Sequence, residues 1–154
     1  MKKILNDETK KYLYYVFDET NQEQLLKQMS TVLIQKKFVK ESYQDAVIER
    51  EREFPTGLPT GGIHIAIPHT DCVHVETEGF LVGVLETPVE FEIMATNNEY
   101  VNVEIVFMLA IKKPENQVFM LQKLIALCQD SEKLMLLKKG EKIEEIEKLL
   151  GTII

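Results

Sequence analysis

The sequence has few of the features that mark secreted or membrane-spanning proteins. Its 154 residues include two cysteines, Cys72 and Cys128, which are too few for a disulfide framework. No apolar run approaches the roughly 18 residues that a membrane-spanning helix requires. The amino-terminal residues 1–8 become acidic too early for a secretory signal peptide. We therefore expect a cytoplasmic protein.

Positive charge is also scarce. The chain has 18 Lys and Arg residues against 25 Asp and Glu residues, for a net charge of −7. This sign disfavours nucleic acid and anionic membranes as partners, but it is compatible with a basic patch on another protein. Internal repeats and low-complexity segments are lacking, and the hydrophobic fraction of 45% is ordinary for a soluble protein. The length predicts a single domain over residues 1–154.

The order of strand and helix patterns predicts an α/β fold. Strand patterns cover residues 12–17, 63–67, 79–85, 89–93 and 101–111. Helix patterns cover 21–38, the segment between Ser42 and Pro55, 115–129, 131–139 and 141–150. Ser42 and Ser131 are predicted to cap the helices that follow them, and Gly140 is predicted to end a helix. Because helices precede, separate and follow the strands, we expect a mixed β-sheet flanked by helices on both faces. The strand at 101–111 is expected to be central and buried on both faces.

All three histidines lie in one short segment, and His69 has the most informative position among them. It follows Pro68, directly after the apolar strand pattern at 63–67. Proline offers no N–H to a strand ladder, so His69 is expected at the rim of the core, where a side chain is both held and accessible. Imidazole is neutral near pH 7 and nucleophilic, and it can accept a proton or a phosphoryl group. We therefore predict a functional role for His69.

A metal site is the alternative interpretation of the histidines, since imidazole is the commonest metal ligand. Side chains alternate along a strand, so His64 and His69 are expected on opposite faces. His69 and His74 could converge across the turn between them, but two histidines make half a site. The spacing therefore predicts no metal site, and it leaves open whether His64 and His74 have a function or are ordinary surface or strand-edge residues.

Two polar side chains interrupt apolar helical stripes. Arg50 continues the stripe of Tyr43 and Val47, and a buried arginine needs a partner. That partner could be a carboxylate, a helix carboxyl terminus, or a phosphate gripped by two N–H groups. Gln117 extends the stripe of Leu121 to a helix N-terminus, which favours anions. A polar residue at a solvent-exposed helix start would be equally ordinary.

Two neighbouring motifs resemble a known family. Residues 50–58 read Arg-Glu-Arg-Glu-Phe-Pro-Thr-Gly-Leu, and residues 65–69 read Ile-Ala-Ile-Pro-His. Together they resemble the IIA component of the bacterial phosphotransferase system, in its fructose–mannitol superfamily (EIIA type 2). The Glu-Phe-Pro-Thr-Gly and Pro-His-x4-His features are most similar to the galactitol branch. The similarity extends over nearly the whole chain and includes the order of helices and strands.

The resemblance implies a phosphoryl relay. His69 would accept a phosphoryl group from phospho-HPr and pass it to a cysteine of a IIB component, from which it reaches a sugar or polyol at the membrane IIC protein. Arg50 would support the active site, and Thr56, of the Thr-Gly pair, would belong to the substrate-binding site. No metal or cofactor is implied.

The chain departs from the mannitol-type pattern at one position. Those members carry a second active-site histidine at the start of the helix after the long strand, where this sequence has Gln117. Either His74 or Gln117 could serve in its place, and we favour His74 because a charged imidazole adds electrostatic stabilisation. The alternative function is that of a regulatory protein similar to the nitrogen-related IIA, which acts by phosphorylation-dependent binding to other proteins.

Overall fold

The computed structural model describes residues 2–3 and 11–154. Within these residues the strands are β1 Lys2–Lys3, β2 Tyr12–Phe17, β3 Gly57–Leu58, β4 His64–Ala66, β5 Gly79–Glu92 and β6 Tyr100–Ala110. The α-helices are α1 Gln22–Gln35, α2 Tyr43–Glu53, α3 Pro114–Leu127, α4 Ser131–Lys139 and α5 Ile143–Gly151, and a short 3-10 helix covers Cys72–His74.

The described strands form a mixed sheet in the order β1-β2-β5-β6-β4-β3. The β2–β5 and β4–β6 pairs are parallel, whereas the β1–β2, β5–β6 and β3–β4 pairs are antiparallel. Strand β6 lies inside the sheet, and its residues 105–110 are all buried. This confirms the prediction of a central strand that is buried on both faces.

Two hydrophobic cores lie on opposite faces of the sheet. The first core joins α1 and α2 to the sheet through side chains that include Leu25, Met29, Val47, Leu81 and Val103. The second core joins α3, α4 and α5 to the other face through side chains that include Phe107, Leu124, Leu137, Ile146 and Leu150. The predicted mixed sheet with helices on both faces is therefore confirmed.

One predicted break in the sheet is wrong. Residues 79–85 and 89–93 were expected as separate strands, but β5 runs without interruption through residue 92 and pairs with β6. The register shifts between Val84 and Val89, and residues 86–88 between them are exposed. Such a bulge lets the strand accommodate Pro88, which has no N–H to donate.

The helix ends agree with the sequence in part. The cap of α4 is Asp130, whose side chain accepts a hydrogen bond from the Lys133 N–H, so Ser131 is the first helical residue and the expectation for Ser131 is wrong. Ser42 does precede α2, but its side chain makes no capping bond. Gly140 ends α4 as predicted, with a φ of 65° that glycine adopts at little cost.

No helix in the described part of the chain is both long and apolar enough to cross a lipid bilayer. The acidic segment at residues 1–8, on which the expectation about a secretory signal depends, lies mostly outside the described residues.

Candidate functional site

His69 follows β4 and has a defined protonation pattern. Its Nδ1 atom lies 2.7 Å from the carbonyl oxygen of Ile67. Because a carbonyl can only accept, Nδ1 must carry the hydrogen, and the neutral ring then has its lone pair on Nε2. No hydrogen bond engages Nε2 among residues 2–3 and 11–154. The ring therefore keeps a nucleophilic lone pair on Nε2 that no described group engages.

Three effects set the pKa of His69. Burial lowers the pKa most, the hydrogen bond to the Ile67 carbonyl raises it, and the positive charge of Arg50 lowers it further. The balance is a pKa below the usual value of 6.5. His69 is therefore neutral near pH 7, which is the form that can act as a nucleophile.

Hydrogen bonds from α2 and β6 hold the chain next to His69. The Pro68 carbonyl accepts from the Leu109 N–H at 3.0 Å, and the Leu109 carbonyl accepts from the Tyr43 hydroxyl at 2.5 Å. Tyr43 is fully buried at the start of α2. The residue before His69 is thus linked through the central strand to a rigid helix.

Arg50 is the cationic group of the site. Its Nε atom is buried and has no hydrogen-bond partner among the described residues. Its guanidinium carbon lies 4.5 Å from the centre of the Phe54 ring, and Phe54 is 56% exposed. Of the partners considered for Arg50, a carboxylate is not used within the described chain, whereas the neighbouring Arg52 pairs with Glu23 at 3.4 Å. No carboxylate in the described residues therefore neutralises Arg50, and its positive charge is close enough to His69 to lower the pKa of the ring.

Glu51 and Thr56 form a buried hydrogen-bonded pair behind the site. The Thr56 N–H donates to Glu51 Oε2 at 2.8 Å, and the Thr56 hydroxyl donates to Oε1 at 2.7 Å. The same hydroxyl accepts from the Ile67 N–H at 3.1 Å. Burial raises the pKa of Glu51 to about 7, the two bonds from Thr56 oppose this rise, and the charge of Glu92 adds to it.

Glu51 was missed by sequence reasoning, although a signal for it exists. The buried residues of α2 include Tyr43 and Val47, and Glu51 is the next residue at a spacing of four. Arg50, which the stripe was expected to bury, is only partly buried beside it. The charged residue that α2 buries is therefore the carboxylate, and the arginine stands at its edge.

The other predicted site residues make no hydrogen bond to His69. His74 Nδ1 lies 2.8 Å from the Ser42 hydroxyl, and the His64 Nδ1 accepts from the Thr60 N–H at 3.0 Å. Gln117 is half-buried in the first turn of α3, and its side-chain amide has no hydrogen-bond partner in the described residues. No hydrogen bond joins His74 or Gln117 to His69, so the roles of both stay predictions.

The described residues contain no group of three or more His, Cys, Asp or Glu side chains placed to hold a metal ion. What the site does offer is a neutral histidine with a fixed tautomer beside an uncommitted guanidinium. This arrangement suits a nucleophilic attack on a bound anion, and phosphoryl transfer needs little more than such positioning and charge stabilisation. The fold and the site are thus those of an α/β protein whose site has the groups that phosphoryl transfer requires.

Comparison with known proteins gives the family. The model of the family described as "Phosphoenolpyruvate-dependent sugar phosphotransferase system, EIIA 2" matches residues 9–152. The chain therefore belongs to this family, and the resemblance inferred from the motifs is confirmed. The extent of the match is compatible with a single domain over residues 1–154, which stays a prediction.

Individual relatives agree with this assignment. The galactitol-specific EIIA component of Escherichia coli strain K12 is 28% identical over 106 residues, which are 69% of this chain and 70% of that protein. The solved complex of the mannitol enzyme IIA with phosphorylated enzyme IIB from Escherichia coli matches with a TM-score of 0.72 at 19% identity, over 96% of this chain and 97% of that one. The nitrogen regulatory protein IIA-Ntr of Neisseria meningitidis matches with a TM-score of 0.65 at 17% identity, over 91% and 92% of the two chains. At these identities the two structures show a shared fold.

Proposed function

We propose that the protein is a cytoplasmic phosphocarrier that accepts a phosphoryl group from phospho-HPr on Nε2 of His69 and passes it to a cysteine of a IIB component. The observation that carries the proposal is the fixed tautomer of His69, with the positive charge of Arg50 near enough to lower the pKa of its ring. The family membership of the chain supports the same chemistry.

The transfer follows from the geometry of the two side chains. The Nε2 lone pair of His69 attacks phosphorus, and the bond from phosphorus to the HPr histidine breaks, with its electron pair returning to that histidine. Arg50 binds phosphoryl oxygens and compensates the charge of the transferring group. In the second step a IIB thiolate attacks phosphorus and the lone pair returns to Nε2. The hydrogen stays on Nδ1 and is donated to the Ile67 carbonyl in both steps. The attack by Nε2 therefore needs no group to remove a proton from His69.

Two partners must use the same surface in turn, and a modest, transient interface is expected. Phe54 supports a docking role for the rim of the site, because its ring contacts Arg50 and yet is 56% exposed. The IIB component in the solved complex of the mannitol relative supports a IIB partner. The membrane IIC protein would take part only indirectly.

The galactitol-specific relative supports a sugar or polyol of the galactitol kind as the final acceptor. A regulatory role, as in the nitrogen regulatory relative, is the second candidate, and the shared fold suits either function. Transfer to a IIB component distinguishes the two, since a purely regulatory protein need not pass its phosphoryl group on.

The direct test is to incubate the protein with Enzyme I, HPr and phosphoenolpyruvate and to map the label. The His69→Ala variant should fold normally and take no phosphoryl group. The His64→Ala variant is the matched control, because His64 is a half-buried histidine of the same segment, and it should be labelled at the normal rate. Normal labelling of His69→Ala would assign the chemistry to another residue.

A further inference from the structure

Hydrogen bonds on both sides of the Ile67 backbone connect a buried carboxylate to the candidate nucleophile. Glu51 accepts from the hydroxyl of Thr56, this hydroxyl accepts from the N–H of Ile67, and the carbonyl of Ile67 accepts from Nδ1 of His69. In each of these three hydrogen bonds an N–H or O–H group donates to an oxygen that can accept. Nothing in the phosphoryl transfer itself uses Glu51 or Thr56.

We infer that Thr56 is a positioning residue for His69, and that it acts through Ile67 with its own hydroxyl oriented by Glu51. The inference rests on the proposed function in that His69 is taken as the phosphorylated residue. It differs from the substrate contact that the family resemblance implied for Thr56.

The burial of Thr56 argues against direct contact with a substrate. Thr56 is 3% exposed and Glu51 is 5% exposed, so a docking partner reaches neither. The single hydroxyl hydrogen of Thr56 is donated to Glu51, which leaves only the oxygen to act on other groups, and that oxygen accepts from Ile67. The Thr56 hydroxyl is therefore engaged inside the protein both as a donor and as an acceptor.

The role of Thr56 also differs from that of an ordinary loop threonine. The Thr60 hydroxyl bonds to the Ile63 carbonyl and the Gly62 N–H, which are both within its own turn. The Thr56 hydroxyl instead bonds to Ile67, eleven residues away and directly at the end of β4. It therefore fixes the residue whose carbonyl selects the tautomer of His69.

Removal of this hydroxyl has a defined consequence. The Ile67 N–H and one Glu51 oxygen would lose their partner, and a buried group without a partner is driven to rearrange. The Ile67 carbonyl would then no longer hold a fixed direction towards Nδ1 of His69. A ring without that acceptor can place its hydrogen on either nitrogen, and the tautomer with hydrogen on Nε2 has no lone pair there with which to attack phosphorus.

The test compares Thr56→Val, which keeps the shape and removes the hydroxyl, with Thr56→Ser, which restores it. The tautomer of His69 is read from the ¹⁵N chemical shifts of its ring in the full chain, and the initial rate of labelling is measured with Enzyme I, HPr and phosphoenolpyruvate. Ser30→Ala is the control for loss of a buried hydroxyl. Ser30 is fully buried, and within the described residues its hydroxyl bonds only to the Met108 sulfur, at 3.9 Å.

We expect Thr56→Val to show a mixture of tautomers and to be labelled about tenfold more slowly or worse, because small misplacements of a reacting group are costly. Thr56→Ser and Ser30→Ala should keep the Nδ1–H tautomer and a rate near normal. A folded Thr56→Val with an unchanged tautomer and a normal rate would overturn the inference. If Thr56→Val does not fold, Thr56→Cys, whose thiol is a weak acceptor, replaces it and the same two outcomes apply. A change of tautomer in a protein that phospho-HPr never labels would support the positioning role and refute the proposed function.

Discussion

Glu51 is expected to make folding less favourable as the pH rises from acidic to neutral. Its pKa rises from the usual 4.5 to about 7 in the folded protein, chiefly because burial disfavours the charged form. Between these values the folded protein holds a proton on Glu51 that the unfolded chain has released. Stability therefore falls as the pH rises through this window, and it levels off above the folded-state pKa of about 7. The variant that removes this effect is Glu51→Gln, which keeps the shape of the side chain and does not titrate.

The size of the effect follows from the two pKa values. Each pKa unit corresponds to about 1.4 kcal/mol, so the change from 4.5 to about 7 corresponds to about 3 kcal/mol. At pH 5 the unfolded chain has already released much of its proton from Glu51, so part of this stabilisation is lost below that pH. Between pH 5 and pH 8 the free energy of unfolding of the wild type, relative to that of Glu51→Gln, should fall by about 2 kcal/mol. The glutamine variant also loses a hydrogen bond, which shifts its free energy of unfolding by the same amount at each pH. The change of the difference with pH therefore reports the titration of Glu51.

Urea unfolding at pH 5, 6, 7 and 8, followed by circular dichroism, gives the required free energies. His69 titrates in both proteins, so its contribution cancels in the difference. Glu53→Gln is the matched control, because it removes the same charge from an exposed position in the same helix. A flat difference between pH 5 and 8 would refute the reasoning. A difference that increases with pH would show that the two donors of Thr56 outweigh burial.

Two further predictions concern the groups around the transferred phosphoryl. Arg50→Lys keeps the charge but loses the planar fork, so transfer should slow by about tenfold or more while the free energy of unfolding changes little. Arg52→Lys, at an exposed arginine of the same helix, is the control, and equal rates in both variants would remove Arg50 from the site. Of His74→Ala and Gln117→Ala, we expect the larger loss of rate from phospho-HPr in the histidine variant, because imidazolium can add positive charge. A normal His74→Ala with an inactive Gln117→Ala would mean that the amide fills the role of the second histidine.

The fold could be predicted where local patterns carry the information. The apolar run of β6 and the helical stripe of α1 are set by their own residues, and both elements are present. The continuity of β5 could not be predicted, because Pro88 is a local signal for a break and only the pairing with β6 shows that the strand continues. Strand β3 has two residues, Gly57–Leu58, and a pattern of that length is below what periodicity can detect.

The site, like the fold, has features that local sequence patterns predict and features that depend on contacts between distant residues. The proline before His69 is visible in the sequence, and the positive charge of Arg50 is near enough to lower the pKa of His69. The helical phase assigned the inward position to Arg50, whereas the structure gives it to Glu51. The burial of Glu51 could not be predicted with the same ease, because a glutamate at an inward position is normally assigned to solvent. It is tolerated only because Thr56, five residues later, supplies two donors to it, and that contact depends on how the chain turns after α2.

Helix α2 explains how the proposed nucleophile, His69, is held at the end of a strand. Its first residue, Tyr43, bonds to Leu109, whose N–H bonds to the carbonyl of Pro68. Near its other end, Glu51 bonds to Thr56, whose hydroxyl accepts from the N–H of Ile67. The two residues that precede His69 are thus tied to one helix by separate routes, and the same helix carries Arg50. Because a helix is rigid over this length, the backbone of Arg50 and the backbone that leads to His69 are held in a fixed relation by regular structure. Loosening either route should therefore misplace His69 relative to Arg50, even though neither Tyr43 nor Thr56 meets the phosphoryl group.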